Sequence, residues 1–326
     1  MAEITAARIT NLHERIKLIL GSGAGPNGYG QIVESSPVSN QAAFILAEDI
    51  NSIYRDMINV RTHQIGIGSS EIAQVLQDRN VIADDTSFFV NDNGEQSVDN
   101  ILFDTDGNQV TDPLAGTLKG ISDFERLMTS IEADKYLIDI ATQGTLESSI
   151  TDRLTLPWNG IRTQEVSVTF ADADHRRHFF NTGGEIRFSA SITGAVVPKG
   201  LDWTALLSSI GTVSFAYSTT TSTGAGSGSS IGNYDLTTAY QQIFQKIGSG
   251  TINSIYNGNI YTIRARFSAL NPNVIVFKIE FNDIAADNNV DNTVDGRLDS
   301  VIQQLRADSV NVSVASPSYF NQSTLA

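Results

Sequence analysis

The residues of this chain best equipped for chemistry lie together in ADADHRRHFF, where Asp172, Asp174, His175 and His178 combine two carboxylates with two imidazoles. Such groups ligate transition metals and pass protons. The spacing argues against a shared ion. In a strand, residues three apart point to opposite faces, so His175 and His178 could meet one metal only in a turn or helix, or with help from another subunit. The reading adopted is a structural polar cluster at a strand edge. Asp174 and Glu185 flank the turn Asn181 to Gly184. A glycosidase needs two carboxylates at the right separation, but paired charges on a hairpin are common without catalysis.

Two acidic stretches offer hard oxygen ligands. Asp104, Asp106, Asn108 and Asp112 stand in DTDGNQVTD, and Asp287, Asp291 and Asp295 lie in a second acidic loop. In the first the glycine is misplaced for an EF-hand and no glutamate occupies the twelfth position, and the second is open to the same objection. Solvated turns explain both, with weak calcium binding left open. No Ser-His-Asp order stands out among His13, His63, His175 and His178. Gly23, Gly25 and Gly28 fall in a G-x-G-x-x-G pattern, yet a helix precedes it and Pro26 follows, the reverse of a phosphate-binding turn. That stretch is read as a turn-rich linker. No catalytic, cofactor-binding or metal-binding residue is assigned, and the chain is read as a non-enzyme.

Elements must position these residues. Apolar spacing predicts a helix from Thr5 to Leu20, ended by Gly21, and a second from Ser39 to Gly66, with His63 at its polar end as a surface or capping residue. A weaker region follows, with a helix at Glu71 to Gln77 and short strands near Ser87 to Val90 and Ile101 to Phe103. Ser122 and Glu125 then form a capping box that opens a third helix carrying Phe124, Leu127, Ile131 and Ile138.

Residues 1–143 are thus a mainly helical docking or oligomerisation domain, 144–160 a connection, and 161–326 an α+β domain. In that second domain Val166, Val168 and Phe170 alternate with polar residues, as do Ile186, Phe188, Ala190 and Ile192, which predicts two strands joined by a turn. Helices are expected at Leu201 to Ile210, around Tyr240 to Ile247 and around Leu298 to Leu305. Strands are expected at Val213 to Tyr217, Ile263 to Phe267, Ile275 to Phe281 and Val310 to Val314, before a polar tail. Thr219 to Ser230 reads as a flexible low-complexity loop. The fold class is α+β, with a largely antiparallel sheet or sandwich and short packed helices.

Composition narrows the partners. The 326 residues hold 21 basic and 36 acidic side chains, a net charge of −15, which repels phosphate backbones and anionic membranes. Neither nucleic acid nor membrane insertion is expected. No segment reads as a signal peptide or membrane span. The absence of cysteine removes thiolate chemistry and disulfides. With 40% hydrophobic residues the chain can build a core.

The N-terminal helix with GYGQ and VSN, the segment AEDINSIYRDMINVRTHQIG, and DHRRHFFNTGGEIRFSASITG resemble a family of virion structural proteins from tailed phages, closest to T4-like myoviruses of marine cyanobacteria. The resemblance implies a role in the particle and carries no catalytic motif. It leads to a virion localisation, other virion proteins as partners, and a tail position at the baseplate or a fibre attachment. A homo-oligomer, with a trimer favoured, follows from the amphipathic helices, the low charge density and appendage symmetry. The alternatives are a module that binds host-surface glycan, using the Thr219 to Ser230 and Asn282 to Asp295 loops, and a tail-associated glycan hydrolase.

Overall fold

A computed structural model describes residues 5–39, 45, 47–66, 121–284 and 293–325, together with four two-residue strands. The chain divides into two compact units, one of residues 1–143 with 308–313 and the other of 144–307 with 314–326.

In the first unit, helices α1 (Ala6–Leu20), α2 (Ala47–Ile65) and α3 (Ile121–Ala133) pack against one another. Between α2 and α3 lie strands β1 (Phe89–Val90), β2 (Gln96–Ser97), β3 (Leu102–Phe103) and β4 (Gln109–Val110), paired antiparallel as β1 with β2 and β3 with β4. Ile9, Leu12 and Ile16 of α1 are fully buried, as are Met57 and Val60 of α2 and Phe124, Met128 and Ile131 of α3. Three- and four-residue spacing puts each set on one helical stripe. Thr5 caps α1 by accepting from the Arg8 N–H. Across the bundle, Arg8 donates to both carboxylate oxygens of Glu125 at 2.8 and 2.7 Å, and Arg15 to both of Glu132 at 2.8 Å.

The second unit is a two-sheet sandwich. Strands β5 (Gly144–Leu154) and β6 (Gly160–Thr169) lead to α4 (Ala173–Asn181), β7 (Glu185–Thr193) and α5 (Pro198–Ile210). Then come β8 (Val213–Phe215), β9 (Thr220–Ser222), β10 (Gln241–Ser249), β11 (Asn257–Phe267), β12 (Val274–Asp283), β13 (Arg297–Ala307) and β14 (Ser318–Ser323). One sheet runs β10-β11-β12-β6-β14 and the other β5-β13-β7-β8-β9, all pairs antiparallel. Their inner faces meet through aromatic rings, with Phe277 of β12 lying 4.9 Å from Phe188 of β7 and 5.2 Å from Phe215 of β8.

The α+β class and the β11–β12 pairing agree with the sequence, and several local expectations are corrected. Residues 144–154 are not a connection but an edge strand, β5, bonded along its length to β13. Strands β6 and β7 do not pair with each other. They lie in different sheets, with α4 crossing between them where a turn was expected. Tyr240 to Ile247 and Leu298 to Leu305 contribute strands β10 and β13 rather than helices. Val310 to Val314 is not a strand, and the tail instead supplies β14. The third helix stops at Ala133, before Ile138, and the second begins at Ala47, later than Ser39. The Gly21 to Gln31 stretch folds back on α1 through Tyr29 N–H to Ile19 O and Gln31 N–H to Leu20 O.

The expected flexible loop is a backbone stitch. Ser229 exchanges both backbone hydrogen bonds with Thr220 of β9, and Ser227 both with Gln245 of β10, so one lateral opening of the sandwich is closed. On the other side Tyr319 of β14 donates to Gln304 of β13 at 3.0 Å, and the Leu325 N–H donates to Asp152 of β5 at 2.7 Å.

Candidate functional site

The ADADHRRHFF cluster forms the start of α4. Asp172 is its N-cap and accepts the His175 N–H at 2.7 Å, satisfying one of the donors that a helix start leaves open. The other Asp172 oxygen lies 2.8 Å from His175 Nδ1. The His175 backbone N–H, and then its side chain, hold the Asp172 carboxyl below its usual range. Asp174 takes the Arg177 guanidinium at 3.1 Å, and Arg177 in turn lies 3.2 Å from His178 Nε2. Helical spacing therefore separates the two imidazoles into different pairings. Glu185, on β7, is paired with Arg187 at 2.7 Å. Behind these groups Phe179 and Phe180 are fully buried, Phe179 lying 5.4 Å from Phe170 and Phe180 5.7 Å from Phe215.

The other candidates are placed unevenly. Asp104, Asp106, Asn108, Asp112, Asp287 and Asp291, like the helix expected at Glu71 to Gln77, lie outside the described residues. Asp295 accepts the N–H groups of Val196 at 2.9 Å and Val197 at 3.3 Å, holding the chain just ahead of α5, whose N-cap, Val197, supplies no side-chain cap. His63 is completely buried rather than on the surface, with its ring 5.2 Å from Tyr29. His13 is also buried, pairs with Ser35 at 3.0 Å, and is held below the usual imidazole range chiefly by that burial. Among the described residues no group of three or more His, Cys, Asp or Glu side chains could hold a metal ion.

Sequence reasoning passed over a buried ion pair. Lys199 Nζ, in the first turn of α5, lies 2.6 Å from Asp283 Oδ2 at the end of β12, and each side chain is only 1% exposed. Trp203, one turn after Lys199, packs at a tilt with its ring 5.2 Å from Trp158 and 6.3 Å from Phe281. Asp202 is buried beside Trp203 in the chain. Burial pushes its carboxyl up, against the Ile252 N–H that donates to it at 2.9 Å. Signals for the pair existed. Pro198 at the first helical position marks the start of α5, and Asp283 continues the inward register of Ile279 and Phe281.

On the outer face of the β10-β11-β12-β6-β14 sheet, register places Ile247, Ile260, Asn282 and Ile161 side by side across four strands. Ile161 is 57% exposed, Ile247 51% and Ile284 53%. Next to this row Arg264 pairs with Glu280, and Lys278 lies 3.0 Å from the same carboxylate. The outer face thus joins a row of isoleucines, interrupted by Asn282, to a band carrying both charges. Among the described residues no helix is long and apolar enough to cross a membrane. Comparison of the chain with protein-family models, curated proteins and solved structures finds no match.

Proposed function

We propose that this chain is a non-enzymatic structural protein of a phage virion, a tail component at the baseplate or a fibre attachment. In this reading it self-associates and docks to other virion proteins. The observation that carries the reading is the outer sheet face, where exposed isoleucines at positions 161, 247 and 284 border the Arg264, Lys278 and Glu280 band. Exposed apolar side chains beside polar and charged ones are what a protein interface uses. A band holding both signs can pair with charges of either sign on another protomer, which is the occupant proposed. In the trimer favoured here this face meets a different patch of its neighbour, because a patch meeting its own copy closes a two-fold dimer. The chemistry-bearing residues of α4 support the same reading, because Asp172, His175, Asp174 and Arg177 are engaged in capping and pairing the helix.

The apolar stripes of α1, α2 and α3 are spent on one another inside the first unit, which moves the proposed self-association to the β unit. The Thr219 to Ser230 segment, a glycan-site candidate, is occupied in closing the sandwich. The test has two parts. Light scattering of the purified chain should give a trimer mass that falls to a monomer in an Ile161→Asp, Ile284→Asp double variant. Peptides of the chain should be recovered from purified particles of the encoding phage at a fixed copy number. A wild-type monomer at every concentration would remove the self-association, and absence from particles would remove the virion role.

A further inference from the structure

The Lys199–Asp283 pair has an unusual setting for two charges. Its members are 1% exposed and 2.6 Å apart, with the buried Trp203 one helical turn after Lys199 and the buried Phe281 two residues before Asp283. Removing an ammonium and a carboxylate from water is costly, whereas an amide bond in their place leaves no charge to bury. In bulk water it is hydration of the two ions that keeps an amine and a carboxylic acid from condensing. Burial withdraws that hydration. Packing also holds the two groups as a single oriented encounter, which replaces a collision between separate molecules.

We propose that Lys199 and Asp283 join in an intramolecular isopeptide bond that fastens α5 to β12. One proton first passes from the Lys199 ammonium to the Asp283 carboxylate across their contact, leaving a free amine and a carboxylic acid. Nζ then attacks Cγ and forms the new C–N bond. The tetrahedral centre collapses with cleavage of a C–O bond, and the departing hydroxyl takes a proton from the nitrogen. One water leaves, no oxidant or reductant is consumed, and both buried charges disappear. The product closes the chain between residues 199 and 283, so the sheet holding β12 and helix α5 can no longer separate. The inference does not depend on the virion reading.

The test is mass spectrometry of the full chain. The wild-type protein should be lighter than its sequence mass by one water, while Lys199→Met and Asp283→Ala variants should show their full sequence masses. After denaturation and trypsin digestion, cleavage after Lys199 should be lost. A branched peptide should appear that joins the segment around Lys199 to the one ending β12. Digestion of the wild-type protein decides the matter even where neither variant folds. Full sequence mass together with quantitative cleavage after Lys199 would show an ordinary ion pair and overturn the proposal.

Discussion

Gly228 shows how a single missing side chain holds the sandwich shut. A Cβ added there would lie 2.1 Å from the Thr220 carbonyl oxygen, and at Gly226, where φ is 141°, it would lie 2.2 Å from the Phe244 ring. The backbone can approach β9 and β10 only because nothing protrudes. Gly228→Ala should therefore cost about 1–3 kcal/mol through overpacking, whereas Ser227→Ala, at an exposed neighbour, should stay within about 0.5 kcal/mol. Thermal melts of the two variants check this, and equal midpoints would show the stitch to be dispensable. The Asp172 cap makes a second residue-level case. Asp172→Ala should lower the midpoint of thermal unfolding, while Asp172→Asn, which still accepts the His175 N–H, should retain most of it. Because the folded carboxyl is depressed, its contribution is present above the unfolded carboxylate range and fades as pH falls through the depressed value. The wild-type advantage over Asp172→Ala should accordingly shrink in acid.

The three-helix element has its own pH dependence. Glu125 and Glu132 are held below their usual range, first by hydrogen bonds from Arg8 and Arg15. A depressed folded pKa adds stability that is fully present above the unfolded value and lost as pH falls through the folded one. His13, lowered by burial, acts in the same direction at higher pH, since the unfolded imidazole protonates first. The helical unit should thus weaken as pH drops below about 6.5, and again in the carboxylate range. Each exposed Arg–Glu pair contributes no more than about 1 kcal/mol. Removing both carboxylates, as Glu125→Gln with Glu132→Gln, should flatten the lower step and leave the upper one, as read by helix ellipticity against pH. At this scale α1, α5, β6, β7, β11 and β12 were legible from periodicity. Strand β10 was not, because a bulge between Gln242 and Phe244 turns Ile243 and Phe244 both inward and imitates helical spacing. Strand β13 was hidden similarly. As a central strand it buries Leu298, Asp299 and Ser300 in succession, which erases the alternation a half-exposed strand would show. The α4 cluster was read as a polar group at a turn, and the residues instead open a helix. The Lys199–Asp283 pair needed a contact between segments far apart in sequence, which periodicity does not report.

For the whole molecule, the division between residues 143 and 144 gives two units with separate cores and separate spectroscopic reporters. Both tryptophans, Trp158 and Trp203, belong to the β unit and are buried there 5.2 Å apart, so indole emission follows that unit alone. The rings of Phe188, Phe215, Phe277, Trp203 and Phe281 that pack together in its core all come from residues after 144. A fragment of residues 144–326 should therefore fold alone, with one cooperative emission transition and a midpoint within a few degrees of that in the full chain. The converse fragment is incomplete. Segment 308–313 belongs to the helical unit, where the Asp308 N–H donates to Gln143 O at 3.1 Å and Gln31 donates to Ser313 O at 3.2 Å. Residues 1–143 alone lose both bonds and should melt below the helical transition of the full chain. Acid should separate the units further, since the depressed carboxylates Glu125 and Glu132 and the buried His13 all sit in the helical one. On lowering the pH of the full chain, helix ellipticity should fall before tryptophan emission shifts to the red. Coincident loss of the two signals, together with a 144–326 fragment whose emission is already that of exposed indole, would mean that neither unit holds its structure without the other.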